Sequence, residues 1–121
     1  MVDHVKTILD ELELPYRILR LCGGDLGFTA HLTYEFEVFS TAQDRWLEIS
    51  SVSNFRTFQA NRLKFRFKDT YGHNKLAHTL NGSALAVPRV LAALIENNLQ
   101  PEGIRIPKVL VPYTGFEMIT K

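Results

Sequence analysis

The stretch "YEFEVF" at 34–39 alternates without a break. Tyr34, Phe36 and Val38 fall on one side of an extended chain, and Glu35 and Glu37 on the other. A short polar connection, "STAQDR", leads into "WLEISSVS" at 46–53, which carries a further carboxylate, Glu48. Two adjoining strands joined this closely must pair antiparallel. Their pattern demands a sheet with one dry face and one acidic, wet face. Whatever the rest of the chain does, it must cover the dry face.

Two amphipathic segments are available for that. Residues 2–13 place Val2, Val5, Ile8, Leu9 and Leu12 on one helical stripe, and Pro15 ends the helix. Residues 87–98 form a second helix, with Val87, Val90, Leu91, Leu94 and Ile95 as its apolar stripe. Between them "YRILRL" (16–21) reads as a strand and "CGGDLG" (22–27) as a glycine-punctuated turn. "FRTFQANRL" (55–63) reads as a short helix with Phe55, Phe58 and Leu63 in the core. "KFRFK" (64–68) alternates as a strand, "TYGHN" (70–74) is a loop and "LAHTLN" (76–81) a strand. After "QPEG", the segment "IRIPKVLVPY" reads as an extended end interrupted by two prolines. The fold class is therefore α+β with an antiparallel sheet. No repeat, low-complexity tract or domain linker interrupts it.

At 121 residues and 45% hydrophobic composition the chain has the size of one globular domain. A net charge of +1 supplies no global field to attract nucleic acid or an anionic membrane. The single cysteine, Cys22, excludes an intrachain disulfide framework and a multi-cysteine zinc site, and points to a reducing compartment. Acidic residues throughout "MVDHVKTILDELEL" argue against a signal peptide, and no apolar run approaches the roughly 20 residues of a membrane span. His4, His31, His73 and His78 share no metal-ligand spacing.

Three groups of residues could carry chemistry. Glu35, Glu37 and Glu48 cluster carboxylates on the wet face; hard oxygen ligands suit Mg²⁺, although a solvated outer face has the same pattern. Glu48 and Ser51 lie three apart, so a flat strand sends them to opposite faces. For both to reach one ion, the strand must bulge or bend near Ser50. Arg62, Lys64, Arg66 and Lys68 fall at period two, as in a phosphate-tracking stripe or, more simply, the solvent side of an edge strand. Finally, "HTLNGSALAVPR" sets Asn81, Gly82 and Ser83 at a strand end. Pro88 fixes the start of the following helix, so Arg89 lies in its first turn. A cation there opposes the helix dipole, which suits either an anion held between the two or an arginine reaching water.

Read together, "LPYRILRLCGGDLGF", "TYEFEV", "WLEISSVSN", "FQANRL", "HTLNGSALAVPRVLAALIENN" and "IPKVLVPY" resemble, in order, the C-terminal part of the catalytic domain of seryl-tRNA synthetases. The resemblance runs from about residue 12 onward. It implies a class II synthetase fold, a partial domain whose antiparallel sheet is flanked by helices. It implies that Glu48, Ile49, Ser50 and Ser51 lie against ATP, with Glu48 and Ser51 holding a Mg²⁺ ion that bridges the phosphates. Asn81 and Ser83 would line the serine pocket, where Ser83 hydrogen-bonds the substrate hydroxyl and disfavours alanine. Arg89 matches the motif 3 arginine that grips ATP phosphates and is the catalytic cation of the set. Two departures from the family pattern are Leu32, where a lysine is common, and Asn61, which replaces an arginine.

The resemblance also implies what residues 1–121 do not encode: the tRNA-binding arm, motif 1 with its dimer interface, and motif 2. The expected activity of the complete enzyme is ATP-dependent formation of seryl-adenylate and transfer to tRNA, in a cytoplasmic homodimer with no membrane association. The isolated chain is expected to be impaired and to self-associate through surfaces that lack their cover. Two other readings are a non-catalytic binding or assembly module, and part of a ligase that loads an amino acid onto a carrier protein.

Overall fold

The computed structural model describes residues 1–120. Helix α1 (Val2–Glu11) precedes strands β1 (Tyr16–Arg20), β2 (Leu32–Ser40) and β3 (Arg45–Arg56). A short helix α2 (Phe58–Arg62) and a hairpin of β4 (Arg66–Lys68) and β5 (Asn74–Leu76) follow, then β6 (Thr79–Gly82) and α3 (Val87–Asn97). The chain ends in β7 (Leu99–Gln100), β8 (Gly103–Arg105), a 3-10 turn (Lys108–Leu110), α4 (Val111–Thr114) and β9 (Met118–Thr120).

The main sheet is antiparallel with strand order β1-β2-β3-β6. Its dry face is the one the alternation requires: Phe36, Val38, Ile49 and Val52 are buried. Val5, Leu9, Leu12 and Leu14 from α1 and its exit, and Val90 and Ala93 from α3, close over that face in one cluster. Both amphipathic helices therefore lie on the same side of the sheet. The class II-like arrangement of an antiparallel sheet flanked by helices is what the structure has. No described helix is long and apolar enough to cross a membrane.

Several local expectations need correction. The run 76–81 is two strands, not one. β5 pairs with β4, whereas β6 joins the main sheet beside β3. Asp69 organises the hairpin loop, its Oδ1 accepting the N–H groups of Tyr71 and His73 while Lys75 Nζ sits 2.8 Å from Oδ2. The strict basic alternation from 62 to 68 does not form, because Arg62 ends α2 and Lys64 takes a left-handed φ of 54°. Only Arg66 and Lys68 share a strand face. In α2 the buried residue is Ala60; Leu63 is exposed, and Phe55 and Phe58 are half-buried.

The stripe of α3 is also split. Val90 and Ala93 pack inward, but Val87, Leu91 and Ile95 are 69%, 55% and 41% exposed. One sheet face is too narrow to cover the whole stripe. The final segment is not extended: Pro107 leads into the 3-10 turn, and Pro112 sits in the first turn of α4, where its missing N–H costs nothing.

Phe36 carries the largest fully buried side chain in the sheet. Phe36→Ala is expected to lower the unfolding free energy by about 3–5 kcal/mol in a urea titration, by leaving a cavity in the cluster to which both helices contribute.

Candidate functional site

The antiparallel register of β2 and β3 shifts between Phe36 and Glu37: Phe36 stands opposite Ser50, and Glu37 opposite Glu48. Ile49 is the extra residue, so β3 carries a bulge there. Glu35 stands opposite Ser51. Cross-strand partners share a face, so the bulge brings Glu48 and Ser51 to the same wet side as Glu35 and Glu37. The bend required near Ser50 is present, one residue earlier.

The bulge also places Ile49 and Ser50 together on the core side, where they are 0% and 1% exposed. Of residues 48–51, only Glu48 and Ser51 therefore present side chains to the wet face. Instead, the Ile49 carbonyl accepts the Ala86 N–H at 2.6 Å. The Ser50 hydroxyl donates to the Ser83 carbonyl at 2.5 Å. Ser83 is fastened further, its N–H donating to the Ser51 carbonyl and its Oγ accepting from the Ser51 N–H. These bonds continue the pairing of β6 with β3 past Gly82 and carry the chain to the start of α3.

That continuation answers why small residues precede the helix. Asn81 pairs with Ser53 and Gly82 with Val52, so Asn81, and Ser83 two residues on, share the wet face with Ser51. α3 then begins at Val87, with Pro88 in its first turn. Arg89 projects back over the sheet, its guanidinium 3.8 Å from the Glu48 carboxylate. Both partners are roughly half exposed, so the pair is worth at most about 1 kcal/mol and exchanges readily.

Sequence reasoning missed the other cation of this face. Arg17 stands opposite Glu37, donates from Nε to its carboxylate at 2.6 Å, and lies 4.4 Å from the centre of the Trp46 ring. Trp46 in turn packs edge-on against Phe39. The period of two in "YRILR" assigns Arg17 a face, but nothing in the sequence supplies the register that sets it against Glu37.

Glu37 and Glu48 are thus each met by an arginine, whereas Glu35 has no ion-pair partner among the described residues. Glu35 has its pKa raised, first by burial and then by Glu48, Glu37 and Asp25. The site fits the implied Mg²⁺ in one respect. Glu48 and Ser51 offer two hard oxygens on one face. Mg²⁺ is commonly held in this way, by one or two protein oxygens with phosphates and waters completing the octahedron.

The family model described as tRNA synthetase class II core domain (G, H, P, S and T) matches residues 1–98. The chain belongs to this family. It is 53% identical over 121 residues to the serine–tRNA ligase of Salinibacter ruber and 55% identical over 116 residues to that of Azoarcus sp.. These alignments cover 98% and 95% of the chain but only 28% and 27% of the relatives. Among solved structures, the seryl-tRNA synthetase of Pyrococcus horikoshii complexed with ATP superposes with a TM-score of 0.91 at 40% identity, covering 98% of this chain and 27% of that one. The cytoplasmic serine–tRNA ligase of Naegleria fowleri in complex with AMP gives 0.88 at 27% identity, covering 99% and 28%. The chain spans a little over a quarter of the length of the relatives it matches, and the resemblance found in its sequence blocks is to this family.

Because Glu35 holds its proton more tightly folded than unfolded, the folded state gains protons relative to the unfolded one just above the ordinary value of 4.5. Its contribution favours folding at low pH and is lost as pH rises through the raised folded pKa. Glu35→Gln is expected to flatten that part of the stability–pH profile, measured by urea midpoints across the acidic range.

Proposed function

We propose that residues 1–121 are the C-terminal portion of the catalytic core of a serine–tRNA ligase, containing motif 3, with motifs 1 and 2 and the tRNA-binding arm contributed by other parts of the complete enzyme. The observation that carries this reading is the approach of Arg89 to Glu48 on a face that also holds Ser51, Asn81 and Ser83. Two distant segments supply a cation for phosphate, two oxygens for a divalent ion and two small polar groups beside them.

In the complete enzyme the serine carboxylate attacks the α-phosphorus of ATP, forming seryl-adenylate and releasing pyrophosphate. A tRNA hydroxyl then attacks the acyl carbon and AMP leaves. Arg89 acts by binding phosphate oxygens as charge shifts onto the departing pyrophosphate. Ser83, its backbone fixed by Ser50 and Ser51, presents a hydroxyl to the substrate hydroxyl, and Asn81 borders the same pocket. Glu48 and Ser51 would hold Mg²⁺, which when bound neutralises phosphate charge. Ile49 and Ser50 are assigned to ATP through their backbone only, since their side chains are buried. The complete enzyme is taken to be a cytoplasmic homodimer. The named relatives do not favour the assembly-module or carrier-protein readings.

The chain alone is expected to bind ATP weakly and to give little serine-dependent ATP–pyrophosphate exchange. Mixing it with the separately produced remainder of a serine–tRNA ligase should restore exchange, and in that mixture Arg89→Gln should lower the rate about 10²- to 10³-fold. Robust exchange by the chain alone, or restored exchange indifferent to Arg89, would overturn the assignment. Gel filtration should find the isolated chain self-associated, and Leu91→Glu with Ile95→Lys should shift it toward monomer.

A further inference from the structure

At the level of the bulge the wet face carries a row of charges. Arg17 stands opposite Glu37, Glu37 stands opposite Glu48, and Arg89 reaches Glu48 from the start of α3. Across the sheet the row reads cation, anion, anion, cation. The two anions are direct cross-strand partners, with Cβ atoms about 5 Å apart, so their carboxylates leave one face side by side. A guanidinium that overhangs one of them is beside the other.

The two ends of the row are built differently. Arg17 donates from Nε to Glu37 at 2.6 Å, and its guanidinium lies 4.4 Å from the centre of the Trp46 ring. Phe39 meets that ring edge-on and holds it in turn. The arrangement draws side chains from β1, β2 and β3 together. It leaves the Glu37 side chain 15% exposed, against 40% for Glu48. Arg89 meets Glu48 only at 3.8 Å, beyond hydrogen-bonding distance.

The fixed pair controls the loose one. Were Glu37 unpaired, its charge would add to that of Glu48 at one place on the face. A guanidinium shared between two carboxylates is held harder than by one. Arg89 would then be drawn into a closed arrangement, and an arriving phosphate would meet an uncovered negative charge.

We propose that Arg17 is a positioning residue for Arg89. By holding Glu37 in a stacked, hydrogen-bonded pair, it leaves Arg89 with one loosely engaged carboxylate and keeps that guanidinium available to phosphate. Trp46 serves the same end by keeping the Arg17 guanidinium in place. The proposal rests on the reading of Arg89 as the phosphate-binding group, and its test does not use ligase activity.

The test is isothermal titration calorimetry of the full chain with inorganic pyrophosphate at low ionic strength. Arg17→Gln is expected to weaken binding about threefold to tenfold. Adding Glu37→Gln to Arg17→Gln should return the affinity to within about twofold of the parent, because the competing carboxylate is gone. In an Arg89→Gln background, Arg17→Gln should change the remaining affinity by less than about twofold, whereas a general effect of charge would act equally in both backgrounds. Arg105→Gln breaks an ion pair with Glu13 instead, and should leave affinity within about twofold. Equal losses from Arg17→Gln with and without Arg89, no rescue by Glu37→Gln, or no binding that depends on Arg89 would each overturn the assignment. The expected binding pattern, together with exchange in the reconstituted mixture that is indifferent to Arg89, would sink the ligase reading and leave the role of Arg17 standing. Exchange that depends on Arg89 without that binding pattern would sink the role of Arg17 alone.

Discussion

One extra residue in β3 determines what this sheet can do. Without the bulge at Ile49, Glu48 would keep strict alternation with Ser51 and lie on the opposite face. With it, one strand delivers both to the wet side while filling the core with Ile49 and Ser50 in succession. The irregularity is held on both edges. Phe36 packs beneath it, and the Ile49 carbonyl and Ser50 hydroxyl fasten the segment that enters α3. The hydrogen bonds that hold the bulge also aim Arg89, so the two halves of the candidate site have a common mechanical origin.

Electrostatics on the wet face follow from that geometry. Glu37 and Glu48 are directly opposed, an arrangement that costs stability unless each carboxylate finds a cation. Arg17 meets one and Arg89 the other. The two arginines differ in how firmly they are held. Arg17 is sandwiched between Glu37 and the Trp46 ring, whereas Arg89 has a single long contact from a helix start. The first is a fixed part of the sheet, and the second is free to change partners.

Much of this was legible in the sequence because period two survives wherever one face is buried. "YEFEVF" gave the dry and wet sides directly, and Pro88 fixed the start of α3. The need for a bend between Glu48 and Ser51 could be stated, but the sequence could not locate it at Ile49, since a bulge leaves no compositional mark. Where burial is incomplete the same reasoning failed. Leu63 is spaced as a core residue yet is exposed, and the α3 stripe leaves Leu91 and Ile95 uncovered, because apolar spacing does not reveal whether a covering layer exists. The C-terminal prolines suggested extension and instead open short helical turns, because a proline is tolerated at a helix start as readily as in an extended run. Arg17 escaped notice because its importance lies in register, a property of two strands.

The loose pairing of Arg89 with Glu48 makes the guanidinium and the carboxylate placeholders for each other's eventual partners. An anion that captures the arginine uncovers a negative charge at the moment it adds its own. The vacated oxygen and the incoming ligand together then present a stronger attraction for a divalent ion than either does separately. By reciprocity, an ion seated at Glu48, as proposed, would set the arginine free and ease the arrival of the anion. Under the proposed assignment, two ligands of opposite sign would thus be coupled through this one side-chain contact.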